Sequence, residues 1–132
     1  MSKKVLILST KNNSRSIIAE AVLHKYMKQI DTFSAGLSPD ANTDSNAMKI
    51  LQREGLWDAK FHPQNFNDFN EVIFDLVIVL CEKALDKIPS FPNDTKVIYL
   101  EYENLQGQNF SVYEQTLKDM KMEIIPIIRL EL

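Results

Sequence analysis

Short runs of apolar residues recur along the chain, and the two strongest read VLIL and FDLVIVL. Apolar runs without alternation are typical of strands that are covered on both faces of a parallel sheet. Two weaker segments, DTFSA and KVIYL, have the length and composition of further strands. The pattern therefore predicts four strands, at residues 5–8, 31–35, 74–80 and 96–100.

Helical periodicity begins soon after the first apolar run. Ile18, Val22 and Tyr26 recur at helical spacing, and Glu20 belongs to the opposite, polar face. We predict an amphipathic helix at residues 15–29.

Boundary residues indicate further helices. Thr43 or Asp44 is suited to cap a second helix, and Gly55 is suited to end it. A short third helix is predicted at residues 82–88, where Pro89 stops it.

The last helix is predicted from the pattern Ser111-x-x-Glu114, which has the form of a capping box. It is expected to run to about Ile125, because Pro126 should end or kink it.

Strands that alternate with helices indicate an α/β fold, a three-layer sandwich with helices on both faces of a parallel sheet. The chain shows no internal repeat, low-complexity segment or linker, so residues 1–132 are predicted to form a single domain. Ligands of such sheets bind beyond the carboxyl ends of the strands. The loops expected there are residues 9–15, 36–42, the stretch after Cys81, and 101–109.

Bulk properties restrict the partners. A net charge of −3 gives no general attraction to nucleic acid or to an acidic membrane, so any anion site must be local. The single cysteine, Cys81, cannot form an intramolecular disulfide. The first apolar run is too short for a signal peptide, and no run reaches transmembrane length. We expect a cytoplasmic protein with no nucleic-acid or membrane partner, and the oligomeric state stays open.

The loop before the first helix is the leading candidate for a local anion site. Its side chains are hydroxyls, amides and two cations: Ser9, Thr10, Lys11, Asn12, Asn13, Ser14 and Arg15. A strand, a loop and a helix in this order direct backbone N–H groups and a guanidinium at an anion. Asn12 and Asn13 tolerate left-handed backbone conformations, which help N–H groups to converge. Residues 9–15 are therefore predicted to bind a phosphate, sulfate or arsenate-type anion.

The spacing Ser9-x-x-Asn12-x-x-Arg15-Ser16, followed by Ala19-Glu20, resembles the opening motif of the low-molecular-weight protein tyrosine phosphatases and the related arsenate reductases. Their motif reads C-x-x-N-x-x-R-S. Further matches occur in order: Ser34-Ala35-Gly36, GLWDAKFHPQNF at residues 55–66, and FDLVI at residues 74–78. The resemblance covers essentially the whole chain and implies a low-molecular-weight phosphatase-like sheet of four parallel strands in the order 2-1-3-4.

The resemblance also implies site residues. In the family, a cysteine thiolate at the Ser9 position attacks phosphorus or arsenic, Arg15 holds the oxyanion, and the Ser16 hydroxyl supports the nucleophile. An aspartate after the fourth strand protonates the leaving group. Its position falls at Asn104, and a shift of register offers Glu103 as an alternative acid.

This chain differs from the family at each chemical step. The Ser9 hydroxyl is not ionised at neutral pH and its loop offers no base, while Asn104 cannot donate a proton. Cys81 matches the first of two relay cysteines in the reductases, but the second position falls near Ile88, so a disulfide relay is excluded.

Two further features follow from the resemblance. Some arsenate reductases bind potassium near the loop, and Asn12, Glu20 and Ser34 match that set in part. No other metal and no cofactor is predicted. Six aromatic residues could pack in the core or line a mouth for a phosphotyrosine ring: Trp57, Phe61, Phe66, Phe69, Tyr99 and Tyr102.

Three functional hypotheses remain open from the sequence. The first is a catalytically degenerate phosphatase-like protein, a pseudoenzyme that binds an oxyanion or a phosphoprotein. The second is an active phosphatase or arsenate reductase captured as a trap, with its nucleophilic cysteine exchanged for Ser9. The third is a partner-binding regulatory module whose loop binds no anion.

Overall fold

A computed structural model of the protein describes residues 2–88 and 90–132. Its helices and strands follow in this order: β1 (Lys3–Ser9), α1 (Arg15–Tyr26), β2 (Ile30–Gly36), α2 (Ser45–Arg53), a 3-10 helix (Phe66–Phe69), β3 (Leu76–Val79), α3 (Glu82–Leu85), β4 (Lys96–Tyr99) and α4 (Phe110–Glu131).

The four strands form one parallel sheet in the order β2-β1-β3-β4, as the resemblance implies. In the register of this sheet Ser9 lies beside Gly36, and Leu8 lies beside Val79. The carboxyl ends of β1, β2 and β3 therefore meet at one edge, which is where a ligand is expected in this class of fold.

Alternate side chains of β1, a central strand of the sheet, pack into two different hydrophobic cores. Val5 and Ile7 belong to the larger core, which α1, α2 and α4 cover. Leu6 and Leu8 belong to the smaller core, which α3, the 3-10 helix and loop residues cover. All four side chains are fully buried, so β1 is the centre of the sandwich and fixes the position of the loop that follows it.

The first helix is more buried than its amphipathic pattern predicts. It ends at Tyr26 rather than near residue 29, and residues 16–23 are all buried. Glu20, placed on a polar face by the sequence, is inside, whereas Tyr26, placed on the apolar face, is 44% exposed. The reason is that α1 packs against β1 and β2 as well as α2 and α4, so it has little solvent-facing surface over its first turns.

The predicted boundaries of the second helix are confirmed. The Asp44 carboxylate accepts a hydrogen bond from the Asn46 N–H at 3.0 Å and caps α2. Gly55 follows the helix with φ of 70°, and the Leu56 N–H reaches back to the Leu51 carbonyl at 2.8 Å. This is the left-handed helix end for which glycine is suited.

The last helix contradicts two predictions. Its N-cap is Asn109, so Ser111 lies inside α4, and the Glu114 carboxylate pairs with Arg53 at 2.9 Å instead of closing a capping box. Pro126 also lies inside α4, which continues to Glu131. The proline removes only the bond to the carbonyl of residue 122, in a solvent-facing turn where water can replace it, and buried residues on either side hold the helix.

Two smaller differences concern β3 and α3. β3 begins at Leu76 rather than residue 74, although the Asp75 N–H still donates to the Lys4 carbonyl at 2.8 Å just before the strand. α3 spans Glu82–Leu85 rather than residues 82–88, and the predicted stop at Pro89 lies outside the described residues. Within the described part of the chain, none of the helices has the length and apolarity needed to span a membrane.

Candidate functional site

The loop after β1 is held from one side by the segment that follows β2. Backbone N–H groups of that segment donate to four carbonyls: Leu37 to Ser9 (3.2 Å), Ser38 to Thr10 (2.8 Å), Asp40 to Lys11 (3.0 Å) and Asp44 to Asn13 (2.8 Å). These bonds turn the four carbonyls toward the segment after β2. The backbone of the loop is therefore fixed to the segment after β2 along residues 9–13.

Asn12 fixes the shape of this loop from inside. It is fully buried and has a left-handed backbone, with φ of 50°. Its Nδ2 donates to Ser16 Oγ at 2.7 Å and to Ser34 Oγ at 3.0 Å, while its Oδ1 accepts from the Gln64 N–H at 2.8 Å. An asparagine tolerates this backbone, and three side-chain hydrogen bonds stabilise it.

Gly36 lets β2 approach the loop closely. A Cβ atom at this position would lie 2.7 Å from the Thr10 carbonyl oxygen and 3.0 Å from Asn12 Cβ. The glycine is therefore required for packing between the end of β2 and the loop.

The Ser9 hydroxyl lies at the base of the loop and is 4% exposed. Its Oγ is 2.9 Å from Ser16 Oγ and accepts from the Asn12 N–H at 3.1 Å. Neither group is a base. The two histidines lie elsewhere, since His24 contacts the Lys60 ammonium at 3.3 Å and His62 bonds to the Lys60 carbonyl at 2.8 Å.

A buried carboxylate lies behind this network. Ser34 Oγ donates to Glu20 Oε1 at 2.6 Å, so Glu20 is connected to Ser9 through Ser34, Asn12 and Ser16. Burial raises the pKa of Glu20 to about 7, against the opposing effects of the Ser34 hydrogen bond and the positive charge of Lys60.

A pocket of about 240 Å³ opens in front of the loop. Its lining comes from the loop, from the start of α3 and from the connection between β4 and α4: Ser9, Thr10, Lys11, Asn13, Arg15, Cys81, Glu82, Lys83, Asn104 and Gln106. Three of these side chains are cations and one is a carboxylate, so the lining is positive although the chain as a whole is negative.

Arg15 joins the two walls of the pocket. Its Nη1 donates to the Tyr102 carbonyl at 2.8 Å, which leaves the other guanidinium N–H groups for a ligand. Asn12, Ser14 and Ser16 are buried behind the pocket lining, so they contribute to the site through the backbone or through neighbouring side chains.

Asn104 and Glu103, the two candidates for the position of the family's general acid, lie in different surroundings. Asn104 lines the pocket, and its Oδ1 accepts from the Gln106 N–H at 3.1 Å. Glu103 is exposed, accepts from Gln108 Nε2 at 3.1 Å, and is not part of the described lining.

The sequence profile of the low molecular weight phosphotyrosine protein phosphatase family matches residues 4–115. The chain belongs to this family. It is 28% identical over 126 residues to arsenate reductase 1 of Bacillus cereus, with 92% of this chain and 91% of the relative covered.

Solved structures agree with this assignment. An arsenate reductase from Archaeoglobus fulgidus is 27% identical and has a TM-score of 0.80, with 94% of this chain and 98% of that chain covered. A low molecular weight protein tyrosine phosphatase from T. tengcongensis is 20% identical and has a TM-score of 0.82, with 97% and 99% covered. The latter likeness shows the shared phosphatase fold.

The potassium site known from some arsenate reductases of the family does not fit this chain. Asn12, Glu20 and Ser34 lie together, but Ser34 Oγ bonds directly to Glu20 at 2.6 Å and to Asn12 at 3.0 Å. The amide of Asn12 presents its N–H₂ group, not its oxygen, to Ser34, because Oδ1 is used by Gln64. A hard cation needs several converging oxygens, and this set supplies a donor at the centre instead.

The aromatic residues do not form a mouth for a phosphotyrosine ring in the described lining, which contains no aromatic side chain. Trp57 packs edge-on against Phe61, and Phe66 packs edge-on against Phe91. The Tyr102 hydroxyl donates to Glu123 at 2.8 Å, away from the pocket. Core and surface packing account for these rings.

Sequence reasoning missed several residues that shape this phosphatase-family site. Glu82, Lys83 and Gln106 line the pocket, and the Gln64 backbone fixes Asn12. The first three lie in stretches that are expected from the sequence at the carboxyl ends of the strands, but the sequence pattern does not single them out as site residues. The Gln64 contact joins loops far apart in sequence, and no local pattern predicts it.

Proposed function

We propose that this family member is a receptor for a tetrahedral oxyanion of the phosphate, sulfate or arsenate type, and that it binds the anion at residues 9–15 without transforming it. The observation that carries the proposal is the environment of Ser9, whose hydroxyl contacts the Asn12 N–H and the Ser16 hydroxyl and no base. A serine needs a base to become a nucleophile at neutral pH.

Serine favours binding for a second reason. In the family mechanism this position carries a thiolate, which repels a bound oxyanion. Two unit charges about 4 Å apart repel by about 4 kcal/mol at an effective dielectric constant of about 20. The neutral Ser9 hydroxyl removes this repulsion. When the Ser16 hydroxyl is the donor in the Ser9–Ser16 hydrogen bond, the Ser9 proton is free for an oxygen of the ligand.

The charges of the pocket suit the same ligand. Arg15, Lys11 and Lys83 are opposed only by Glu82 among the described lining residues. The relatives are named for arsenate and for phosphotyrosine, both of which present a tetrahedral oxyanion. Arginine and converging N–H groups bind such an anion through charge-assisted hydrogen bonds.

Arg15→Ala tests binding. Isothermal titration with inorganic phosphate should show saturable binding to the wild-type protein and a loss of at least about 30-fold in the variant, since each charge-assisted bond contributes about 1.5–3 kcal/mol. Arg53→Ala is the matched control, because Arg53 is an exposed arginine outside the pocket lining. Equal affinity in the wild type and Arg15→Ala would contradict the proposal.

Ser9→Cys tests the absence of chemistry and the trap hypothesis. We expect no hydrolysis of phenyl phosphate by the wild type, and none above background by Ser9→Cys, because phenolate is a poor leaving group that needs a proton and Asn104 cannot supply one. Clear turnover by Ser9→Cys would instead support an active family member held as a trap. Binding of a phosphoprotein and a cytoplasmic location stay predictions.

A further inference from the structure

Asn104 presents a fixed hydrogen-bond donor to the pocket. Its Oδ1 accepts from the Gln106 N–H at 3.1 Å, which determines the orientation of the amide. The Nδ2 group makes no hydrogen bond to the described residues, and Asn104 lines the pocket on the wall that faces the loop. The free part of this side chain is therefore an N–H₂ group, which can bind an anion and cannot accept a proton.

We infer that Asn104 Nδ2 binds the outward-facing oxygen of the anion, and that it makes the site selective for an unesterified oxyanion. This inference rests on the proposed oxyanion-binding function. It assigns Asn104 a role in specificity in place of the acid role implied by its position in the family.

The geometry of a tetrahedral anion supports this role. When Arg15 and the loop N–H groups hold the oxygens at the base of the pocket, the remaining oxygen points away from the loop, into the space that Asn104 and Gln106 help to line. If that oxygen is terminal it carries charge and is a strong acceptor for Asn104 Nδ2. If it is an ester oxygen it is a weak acceptor, and its substituent meets a polar wall with no aromatic side chain among the described lining residues.

Asn104→Asp is the sharpest test, because it keeps the size of the side chain and the acceptor for the Gln106 N–H but replaces the donor with a charge. Sulfate is the probe, since it stays a dianion between about pH 4 and pH 8 while the new carboxylate titrates. Affinity at about pH 8 should fall by at least about tenfold, and part of it should return near about pH 4. Unchanged affinity at both pH values would overturn the role of Asn104.

Asn109→Asp is the matched control. It makes the same change of charge in the same connection, but Asn109 is exposed and outside the pocket lining. Its effect on sulfate affinity should stay within about threefold, because exposed charges are screened. If Asn109→Asp lowered sulfate affinity as much as Asn104→Asp, the effect would be due to net charge, and the proposed contact between Asn104 and the anion would be overturned.

The selectivity is tested by comparing inorganic phosphate with phenyl phosphate. The wild type should prefer inorganic phosphate by about tenfold or more, and Asn104→Ala should reduce that preference. Equal or tighter binding of phenyl phosphate would overturn the selectivity. If the wild type binds neither anion, the proposed function itself fails; if it binds phosphate and Asn104→Asp binds equally well, only the inference about Asn104 fails.

Discussion

The two sides of the anion loop differ in burial and in chemistry. On the inner side, Asn12, Ser16 and Ser34 are fully buried, and their polar groups bond to one another. On the outer side, the opposite wall of the pocket carries exposed side chains such as Lys83 and Asn104. The inner side defines the shape of the loop, and the outer side determines what the loop can hold.

This contrast is relevant to the proposal that the protein binds an anion without catalysing a reaction. The loop matches the motif of the phosphatase family at Asn12, Arg15 and Ser16. The differences fall on groups that carry or transfer charge, Ser9 at the base and Asn104 on the wall. We expect that a change of either charge leaves the backbone of the loop intact, so that anion binding persists without the family's chemistry, as proposed above.

Asn12→Ala should cause the largest loss of stability, because it removes the buried hydrogen bonds on the inner side of the loop. The variant leaves Ser16, Ser34 and the Gln64 N–H short of a partner and places alanine in a left-handed backbone. Unsatisfied buried groups cost about 1–3 kcal/mol each. We expect the free energy of unfolding to fall by about 3–5 kcal/mol in urea denaturation, and phosphate affinity to fall with it.

The neighbouring asparagine offers the control. Asn13 donates through its side chain to Asp40 at 2.6 Å in an exposed bond. Asn13→Ala should therefore change the free energy of unfolding by less than about 1 kcal/mol. If Asn13→Ala lowered the free energy of unfolding as much as Asn12→Ala, the buried hydrogen-bond network would not explain the difference between the inner and outer sides of the loop.

The second prediction concerns the carboxylate behind the network. Burial raises the pKa of Glu20 from 4.5 to about 7, so the folded state binds a proton more tightly than the unfolded state between these values. Its contribution to stability is therefore fully present below about pH 4.5 and is lost as the pH rises toward about 7, by up to about 3 kcal/mol. Urea denaturation at a series of pH values measures this loss.

Glu20→Gln isolates the effect. The glutamine keeps an acceptor for the Ser34 hydroxyl but carries no charge, so the fall in stability between about pH 4.5 and pH 7 should become smaller. Lys60 and His62 are the other charged or titratable groups that act on Glu20. The same pH dependence in the variant and the wild type would assign the effect to groups other than Glu20.

The sequence was sufficient for the parts of the molecule that local patterns determine. Apolar runs identified the four strands, and the spacing from Ser9 to Ser16 identified the loop. Predictions from the sequence were wrong where tertiary packing determines the environment of a residue. Glu20 is polar by type but is enclosed by neighbouring elements, and Pro126 is tolerated because it lies on the solvent-facing side of α4.

The same limit applies to the site. The motif brings Ser9, Asn12 and Arg15 together, but it contains no information on which way an amide points. The orientations of Asn12 and Asn104 depend on the Gln64 and Gln106 backbones, and these two contacts decide which groups face the cavity. The Asn12–Gln64 bond joins segments far apart in the sequence and has no signature in a single sequence, whereas the Asn104–Gln106 bond is local but lies outside the loop motif.

The smallest effect is expected from the carboxylates near the outer wall, where Glu82 lines the pocket and Glu103 does not. Glu82→Gln removes the one negative charge of the described lining, so phosphate should bind about two- to threefold more tightly at low salt and less so at high salt. Glu103→Gln makes the same change outside the lining and should leave affinity within about 1.5-fold. Titration of both variants with inorganic phosphate ranks the two positions. A larger gain from Glu103→Gln would mean that Glu103, rather than Glu82, is the carboxylate that faces the anion, and would restore it as a candidate acid.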